Sequence, residues 1–279
     1  MSRLTSWQIG GPAEYVYWPQ SNEDVVRVFE VAGREHIPVW LLGRGTNILA
    51  PDEGLAGLVV VTTGLREIEW GEYRIRVAAG YQLARLAAQA AERGWSGLEF
   101  ARGIPGTVGG AVVMNAGAHG GEIASLVKEV EAWHYQTGVR VWTGHELEFG
   151  YRQCRLRGQA VVLSVELELK PGDKEKIGAT MAEYLLRRRS SQPLEWPNAG
   201  SVFRNPPGEP AGKLIEKAGW KGYRVGGAQV SEKHANFIVN TGNAKASDVL
   251  ALIEMIQNDV EAKFRVRLVA EVECMTARG

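Results

Sequence analysis

Apolar positions recur at helical spacing in four stretches of the chain, and each stretch predicts a helix. We predict helices between Ser21 and Pro38, over residues 81–93, over about residues 175–189, and between Ser247 and Phe264. Ser21, with Asp24 three residues later, is the predicted N-cap of the first helix. Gly94 is the predicted C-cap of the second helix, and Ser247 is the predicted N-cap of the fourth.

Short apolar runs and alternating positions predict the strands. They cover residues 39–42, 48–49, 58–61, 73–79, 127–133, 140–143, 160–169 and 266–272. In the last of these, Leu268 and Val272 share one face, and Glu271 lies on the other. Prolines gather in residues 190–210, which indicates a boundary. The mixture of helices and strands predicts the α+β class.

Composition and charge narrow the possible functions. The 279 residues include 32 Lys and Arg against 32 Asp and Glu, so no overall basic field favours nucleic acid or an anionic membrane. No apolar run reaches the length of about 20 residues that spans a bilayer, and the start lacks the apolar core of a signal peptide. Cys154 and Cys274 are too few for a disulfide framework and lack metal-ligand company. We therefore expect a cytoplasmic protein without metal, membrane or nucleic-acid partners.

The loop Gly43-Arg-Gly-Thr-Asn47 lies between two predicted strands. A dinucleotide-binding GxGxxG turn would need a third glycine where Ile48 stands, followed by a helix. A Walker A loop also fails, because the spacing in residues 208–214 is one residue short and Leu214 replaces Ser or Thr. The loop is therefore either a backbone nest for a pyrophosphate or a plain hairpin turn.

The most specific motif is the segment from Gly103 to Ile123, with the sequence GIPGTVGGAVVMNAGAHGGEI. Of the 34 glycines in the chain, seven lie between Gly103 and Gly121, interleaved with apolar residues that a flexible linker would lack. Glycine serves where backbone approaches a flat ligand closely or takes a positive φ. Pro105 stiffens the turn, while Thr107 and Asn115 offer side-chain hydrogen bonds. The alternative is a glycine-rich packing corner.

This segment resembles the flavin-binding loop of UDP-N-acetylenolpyruvoylglucosamine reductases, which belong to the wider group of FAD proteins that includes vanillyl-alcohol oxidase. Other motifs, both before and after this segment, also resemble the family, and together they occur in the same order as in the family over almost the whole chain. They are Trp7-Gln-Ile-Gly-Gly-Pro-Ala13, Gly43-Arg-Gly-Thr-Asn47, Phe149-Gly-Tyr-Arg152, Ala199-Gly-Ser-Val-Phe-Arg-Asn-Pro206, Gly212-Lys-Leu-Ile-Glu-Lys-Ala-Gly219, Gly226-Gly-Ala-Gln-Val-Ser-Glu-Lys-His234 and Leu268-Val-Ala-Glu-Val272.

The resemblance implies a two-part FAD-binding region of the vanillyl-alcohol-oxidase type and a C-terminal α+β substrate domain. The implied parts are residues 1–66 together with the tail 272–279, residues 67–190, and residues 191–271. It also implies non-covalent FAD, with NADPH as the reductant. The residues implied to contact FAD are Gly43, Arg44, Gly45, Thr46, Asn47, Ile48, Arg102, Gly103, Pro105, Gly106, Thr107, Gly109, Gly110, Ala111, Asn115, Gly117, Ala118 and Ile123.

The implied reaction is the reduction of UDP-N-acetylglucosamine enolpyruvate to UDP-N-acetylmuramate, a step in making the peptidoglycan precursor. It needs fixed donors for charge on the substrate carboxylate and a proton for the adjacent carbon. By resemblance, Arg152 binds the carboxylate, Glu271 helps to stabilise the charge and Ser201 delivers the proton. The residues implied to bind the UDP and sugar are Tyr151, Asn205, Lys213 and His234. For His234, a capping or surface role is an equal alternative.

The chain departs from the family pattern at His119, Cys154 and Ala270, where relatives often carry tyrosine, serine and proline. It resembles the shorter form of the family, because it has no room for an extra tyrosine-bearing loop before Ser201. Two other functions stay open: an FAD oxidoreductase of the same fold that acts on an alcohol or sugar lactone, and a nonenzymatic nucleotide-sugar binder. Flavin attached covalently through His119 would favour the first, and a protein without flavin would favour the second. We expect a monomer.

Overall fold

The computed structural model describes residues 1–276 and contains two compact units, each with its own core. The larger unit comprises Val16–Arg44 and Val59–Arg188. The smaller unit comprises Met1–Tyr15, Gly45–Leu58 and the chain from Arg189 onward. The three-part division made from the sequence stays a prediction, and residues 277–279 of its tail lie outside the described residues.

The helices and strands confirm most of the sequence prediction. Among the described residues the α-helices are α1 (Asn22–Arg34), α2 (Leu83–Glu92), α3 (Val108–Val113), α4 (Lys174–Ser191), α5 (Ala211–Lys217) and α6 (Ala246–Phe264). The strands are β1 (Ala13–Tyr17), β2 (Val39–Leu42), β3 (Ile48–Leu49), β4 (Leu55–Val61), β5 (Ile68–Trp70), β6 (Arg74–Ala78), β7 (Trp95–Ser96), β8 (Gly117–Ala118), β9 (Gly121–Glu122), β10 (Val127–His134), β11 (Gly138–Thr143), β12 (Ala160–Glu168), β13 (Lys170–Pro171), β14 (Arg224–Val225), β15 (Ala228–Val230), β16 (Ile238–Asn240) and β17 (Glu273–Cys274). The prediction missed α3 and α5.

The larger unit is built on an antiparallel sheet with the strand order β11-β10-β12-β6-β5. Val165 of β12 pairs with Val130 of β10 on one side and with Val77 of β6 on the other. Because β12 has neighbours on both sides, its first six residues are buried and five of them are apolar. Leu86 of α2 and Val112 of α3 join the same core, so α3 is anchored on this sheet.

The smaller unit packs α5, α6 and the antiparallel strands β14-β15-β16 around a second core. Trp7 is fully buried in that core, where its indole N–H donates to the carbonyl oxygen of Ile238 at 2.8 Å. The amide of Asn240 in turn donates to the carbonyl oxygen of Trp7 at 3.0 Å. The first motif of the chain therefore closes against β16.

The start of α6 differs from the prediction, because Lys245 and not Ser247 is its N-cap. The Asp52 carboxylate accepts hydrogen bonds from the backbone N–H groups of Ala246 at 2.6 Å and Ser247 at 3.0 Å. The Ser247 hydroxyl donates to the same carboxylate at 2.9 Å. A residue distant in sequence thus satisfies the first N–H groups of the helix.

The predicted last strand, 266–272, is not a regular strand and forms a single bridge, from Ala270 to Phe203. The predicted alternation holds, since Leu268 is buried while Val269 is exposed. Regular pairing begins only at β17, which runs parallel to β3 with Glu273 opposite Ile48.

Candidate flavin and substrate site

The glycine-rich segment of the larger unit contains α3 between a 3₁₀ turn and the hairpin β8–β9. Thr107 is the N-cap of α3, and its Oγ1 accepts a hydrogen bond from the Gly110 N–H at 3.3 Å. The N–H groups of Val108 and Gly109 donate to the carbonyl oxygens of Tyr81 and Ala79 at 2.9 and 2.8 Å. Backbone bonds therefore hold the start of α3 against the turn that follows β6.

Two glycines of this segment are explained by packing within the protein. A β-carbon at Gly109 would lie 2.8 Å from the β-carbon of Ala79. A β-carbon at Gly117 would lie 2.7 Å from the carbonyl oxygen of Gly121. The packing-corner alternative thus accounts for these two positions, whose predicted contact with FAD stays a prediction.

The surroundings of Thr107 suit a flat ligand that lies against backbone. A β-carbon at Gly43, which follows β2, would lie 2.7 Å from Thr107 Oγ1, and one at Gly110 would lie 3.3 Å from it. The structure thus brings the predicted pyrophosphate loop and the predicted flavin segment together at this hydroxyl. Because glycine backbone surrounds it and Gly110 is exposed, the residues present fit FAD.

The second half of the Gly43–Asn47 loop belongs to the smaller unit. Gly45 has φ +60°, and a β-carbon there would lie 2.1 Å from the carbonyl oxygen of Leu4. The Asn47 amide donates to the carbonyl oxygen of Glu271 at 3.1 Å, and the Glu273 N–H donates to the carbonyl oxygen of Asn47 at 2.9 Å. The loop is therefore tied to the segment that carries Glu271.

Arg152 lies at the tip of a tight turn in the larger unit. Gly150 and Gln153 exchange two backbone hydrogen bonds of 3.1 Å, and Arg152 has φ +57°. The Arg152 guanidinium donates to the carbonyl oxygens of Asn115 at 3.4 Å and Gly117 at 3.2 Å. The fold therefore brings Arg152, which is predicted to bind the substrate carboxylate, to the flavin segment. Tyr151, the predicted substrate contact beside it, is half exposed at 52 %.

Asn115 is the best-connected side chain of the flavin segment, and it is only 1 % exposed. Its amide nitrogen donates to the carbonyl oxygen of Gly150 at 2.9 Å and to the Glu122 carboxylate at 3.1 Å. Its amide oxygen accepts a hydrogen bond from the Ala124 N–H at 3.2 Å. Asn115 therefore links the flavin segment to the turn of Arg152.

Backbone pairing in the smaller unit brings the Ser201 and Glu271 segments together. The Glu271 N–H donates to the carbonyl oxygen of Val202 at 2.8 Å, and the Arg204 N–H donates to the carbonyl oxygen of Val269 at 2.9 Å. Gly200, with φ +78°, precedes Ser201 in a turn closed by the Asn198 side chain. Ser201 and Glu271 are both partly exposed, as side chains that meet a substrate must be.

Asn236 supports the serine segment, and the sequence analysis missed it. Its side chain is 3 % exposed, accepts a hydrogen bond from the Phe203 N–H at 2.9 Å and donates to the Phe203 carbonyl oxygen at 2.8 Å. Its own carbonyl oxygen accepts from the Val202 N–H at 2.8 Å. The available signal was an asparagine between the apolar residues Ala235 and Phe237, just after the motif that ends at His234.

The other predicted substrate residues lie around α5 in the smaller unit. The side-chain oxygen of Asn205 accepts a hydrogen bond from the Ala211 N–H at 3.1 Å, at the start of the helix. A β-carbon at Gly212 would lie 3.2 Å from Cε1 of the His234 ring. Lys213 follows on α5 and is exposed. The fold thus gathers Asn205, Lys213 and His234, as a common ligand would require.

His234 is partly buried, and this burial lowers the pKa of its imidazole below the usual value. Its Nδ1 accepts a hydrogen bond from the Asn236 N–H at 3.2 Å. The neutral ring therefore carries its proton on Nε2, which is a hydrogen-bond donor. The alternative of a capping or surface role for His234 stays open, since its Nδ1 accepts from a backbone N–H two residues later.

The three departures from the family pattern have structural accounts. His119 stacks on Tyr184 with ring centroids 4.0 Å apart, and burial, followed by Arg187, lowers its pKa. Cys154 is buried, which raises the pKa of its thiol and disfavours the thiolate form. The bridge at Ala270 uses the N–H groups of Arg204 and Glu271, so it does not need the N–H group that proline would lack.

Residues 1–276 contain neither a membrane-spanning helix nor a cluster of metal ligands. No helix in that range is both long and apolar enough to cross a membrane. Nor do three or more His, Cys, Asp or Glu side chains gather there in a way that could hold a metal ion.

Family models match two regions of the chain. Residues 13–144 match an FAD binding domain. Residues 192–275 match the C-terminal domain of UDP-N-acetylenolpyruvoylglucosamine reductase. The α+β class, with an FAD-binding region followed by a C-terminal domain, is therefore confirmed.

Relatives align over nearly the full chain. A UDP-N-acetylenolpyruvoylglucosamine reductase 2 of Symbiobacterium thermophilum is 50 % identical over 98 % of this chain and 89 % of its own length. The reductase of Moorella thermoacetica is 46 % identical over 98 % of this chain and 90 % of its own length. The crystal structure of the corresponding reductase of Thermus caldophilus superposes with a TM-score of 0.86 at 39 % identity, covering 99 % of this chain and 97 % of that one.

Proposed function

Because the chain belongs to the UDP-N-acetylenolpyruvoylglucosamine reductase family, we propose that it reduces UDP-N-acetylglucosamine enolpyruvate to UDP-N-acetylmuramate. NADPH is the reductant, FAD is the bound cofactor, and the product serves peptidoglycan precursor synthesis. The observation that carries this proposal is 50 % identity over 98 % of the chain to a reductase of that name.

FAD would be held by the residues that the resemblance implies, which are the loop Gly43–Asn47, Ile48, Arg102, Gly103, Pro105, Gly106, Thr107, Gly109, Gly110, Ala111, Asn115, Gly117, Ala118 and Ile123. Bound FAD would supply hydride transfer between NADPH and the vinyl carbon of the enol ether. The exposed backbone of Gly110 at the start of α3 supports this assignment, because glycine places no side chain between the backbone and a ligand.

Arg152 binds the substrate carboxylate in this proposal. A guanidinium fork can donate to both carboxylate oxygens, which fixes the orientation of the enolpyruvyl group. The same charge becomes more valuable as the carboxylate acquires enolate character in the transition state. The carbonyl oxygens of Asn115 and Gly117 hold the guanidinium in place before substrate arrives.

Ser201 donates the proton to the carbon next to the carboxylate, and Glu271 helps to stabilise the charge that develops there. An alcohol is a weak acid, so the serine needs a neighbour that stabilises its anion or a relay that returns the proton. Lys213 is a candidate for that contribution. The paired backbones of Val202 and Glu271 support a joint role for the two residues.

The nucleotide part of the substrate is held by Tyr151, Asn205, Lys213 and His234 in this proposal. Lys213 supplies a positive charge for the two phosphates, and His234 supplies a neutral N–H donor from Nε2. Asn205 and Gly212 place these groups around α5.

We place the reaction in the cytoplasm and propose a monomer. Among the described residues both cysteines are free, as in proteins of a reducing compartment. The protein needs only the UDP-sugar enol ether and NADPH, taken in turn into one cleft.

A single-turnover experiment tests the proposal. The purified holoprotein is reduced anaerobically with NADPH and then mixed with the enol ether, while the oxidised flavin band near roughly 450 nm is followed. We expect the substrate to restore the band. If NADPH reduces the flavin but the enol ether does not reoxidise it, the proposed substrate is wrong, while the assignment of the fold is unaffected.

A further inference from the structure

The side chain of Asn115 makes its contacts within the protein. An amide nitrogen has two N–H groups, and both are used, one on Gly150 and one on Glu122. The amide oxygen accepts from Ala124. A side chain that is 1 % exposed and whose two donors both have protein acceptors holds structure together.

The contacts of Asn115 converge on Arg152 by two routes. Through its side chain, Asn115 holds the carbonyl of Gly150, which begins the two-residue turn that carries Arg152. Through its main chain, its carbonyl oxygen accepts from the Arg152 guanidinium. One residue therefore holds both the base of the turn and the charged end of the side chain.

Both backbones lie in the left-handed region that favours glycine. Asn115 has φ +40° and Arg152 has φ +57°. Asparagine tolerates this region better than arginine, whose conformation must be held by surrounding bonds. The hydrogen bond from Asn115 to Gly150 is one of the bonds that hold it.

We propose that Asn115 is a positioning residue for Arg152, and that the amide of Asn115 sets the position and orientation of the Arg152 guanidinium relative to the substrate carboxylate. The inference rests on the proposed function, in which Arg152 binds that carboxylate. A displacement of about 1 Å in such a group can lower a rate by about 100-fold, so the position of the turn matters for catalysis.

The test uses Asn115→Asp in the FAD-loaded protein. Aspartate keeps the size, the acceptor oxygen and the tolerance of positive φ, but it removes both N–H donors. It also places a negative charge beside Glu122. The double variant Asn115→Asp with Glu122→Gln removes that repulsion and returns a donor to this contact, but it returns none to Gly150. Glu122→Gln alone is the matched control.

We expect FAD absorbance and flavin reduction by NADPH to stay within about threefold of the unmodified protein in every variant. Reoxidation by the enol ether should slow by about 10- to 100-fold in Asn115→Asp and equally in the double variant. Glu122→Gln alone should match the unmodified protein. In an Arg152→Ala background, Asn115→Asp should add less than about threefold, because its effect acts through Arg152.

Any of four results would overturn the inference. Full rescue by Glu122→Gln would assign the defect to the contact between residues 115 and 122. An equal loss in both half-reactions, or loss of FAD, would assign it to cofactor binding or folding. If the rate losses of Asn115→Asp and Arg152→Ala multiply when the two changes are combined, the two residues act independently. If the unmodified protein itself is not reoxidised, the proposed function fails; if it is, and Asn115→Asp reacts normally, only the positioning role fails.

Discussion

The two regions that carry the proposed catalytic groups are built in different ways. In the larger unit, Arg152 stands on a two-residue turn in left-handed conformation. The carbonyl oxygen of Gly150 in this turn accepts a hydrogen bond from the Asn115 side chain, and the Arg152 guanidinium donates to the carbonyl oxygen of Gly117. In the smaller unit, Ser201 and Glu271 lie on extended segments joined by backbone hydrogen bonds. The side chain of Asn236 adds two more bonds beside them.

Because of this difference, we expect changes at the two regions to affect catalysis and protein stability to different degrees. The arginine turn lies at the surface of its unit and contributes little to the core, so changes there should alter catalysis more than folding. The serine segment passes through Val202 and Phe203, each 1 % exposed in the core of the smaller unit. Changes to its supports should therefore alter folding and catalysis together.

The largest expected effect is at Ser201. Ser201→Ala should slow reoxidation of the reduced flavin by the enol ether by about 10²- to 10⁴-fold, because the proton donor is lost. Flavin reduction by NADPH should be unchanged, since that step needs no proton from Ser201. Stopped-flow absorbance separates the two steps, and Ser125→Ala, an exposed serine, is the control. Equal slowing of both half-reactions would contradict the assigned role.

Arg152→Lys tests the other side of the comparison. We expect the substrate step to slow by about 100-fold, because an ammonium cannot replace the two-pronged guanidinium. The free energy of unfolding should change by less than about 1 kcal/mol, since the turn lies outside the core. Arg155→Lys, beside the turn in a surface ion pair with Glu148, should change neither quantity. A large loss of stability in Arg152→Lys would remove the contrast between the units.

Asn236→Ala should destabilise the protein as well as slow it. The change leaves the N–H and carbonyl of Phe203 buried without these partners, which costs about 2–3 kcal/mol. Urea unfolding followed by tryptophan fluorescence measures the loss. Asn243→Ala, the same change at an exposed position of the smaller unit, should stay within about 0.5 kcal/mol. Unchanged stability in Asn236→Ala would show that other bonds carry the serine segment.

The smallest expected effect is the contribution of Asp52 to the pH dependence of the free energy of unfolding. Burial raises the pKa of Asp52, but the hydrogen bonds from Ser247 and Ala246 outweigh it and hold the pKa below its usual value. Its stabilising contribution is therefore complete above the unfolded pKa, about 4, and is lost as the pH falls through the lower folded value. Asp52→Asn should remove this component, which is about 1 kcal/mol or less. Unfolding curves for both proteins from pH 7 to pH 3 should converge; parallel curves would exclude the linkage.

The elements with a clear apolar period were predictable from the sequence, and those set by distant contacts were not. The alternation of β6 agrees with the structure. On α6, the predicted apolar positions Ile253, Ile256 and Val260 are buried, whereas Leu250, which was also predicted to face the core, is exposed. The helix α3 was missed because glycines weaken the helical pattern, whereas in the structure the Thr107 cap and the burial of Val108 and Val112 support it. The N-cap of α6 was misjudged because its partner Asp52 lies 194 residues away from Ala246.

The candidate site shows the same limit. Arg152, Ser201 and Glu271 could be proposed from the sequence because each lies in a contiguous motif with a family resemblance. Asn236 was missed because its role consists of hydrogen bonds to Phe203, 33 residues away. Asn115 was expected to contact the cofactor, and its link to Gly150 became visible only once the fold placed the two segments together. Supporting residues are thus harder to find than the groups they support.

The discontinuous smaller unit has a consequence for the order of events during synthesis. Trp7 leaves the ribosome early, but the carbonyl that its indole meets belongs to Ile238, 231 residues later. At about 5–20 residues per second, this wait lasts roughly 10–50 seconds. The larger unit's described segments end at Arg188, so its core can close during that interval. A nascent chain is therefore expected to carry a finished larger unit while Trp7 still waits for its partner.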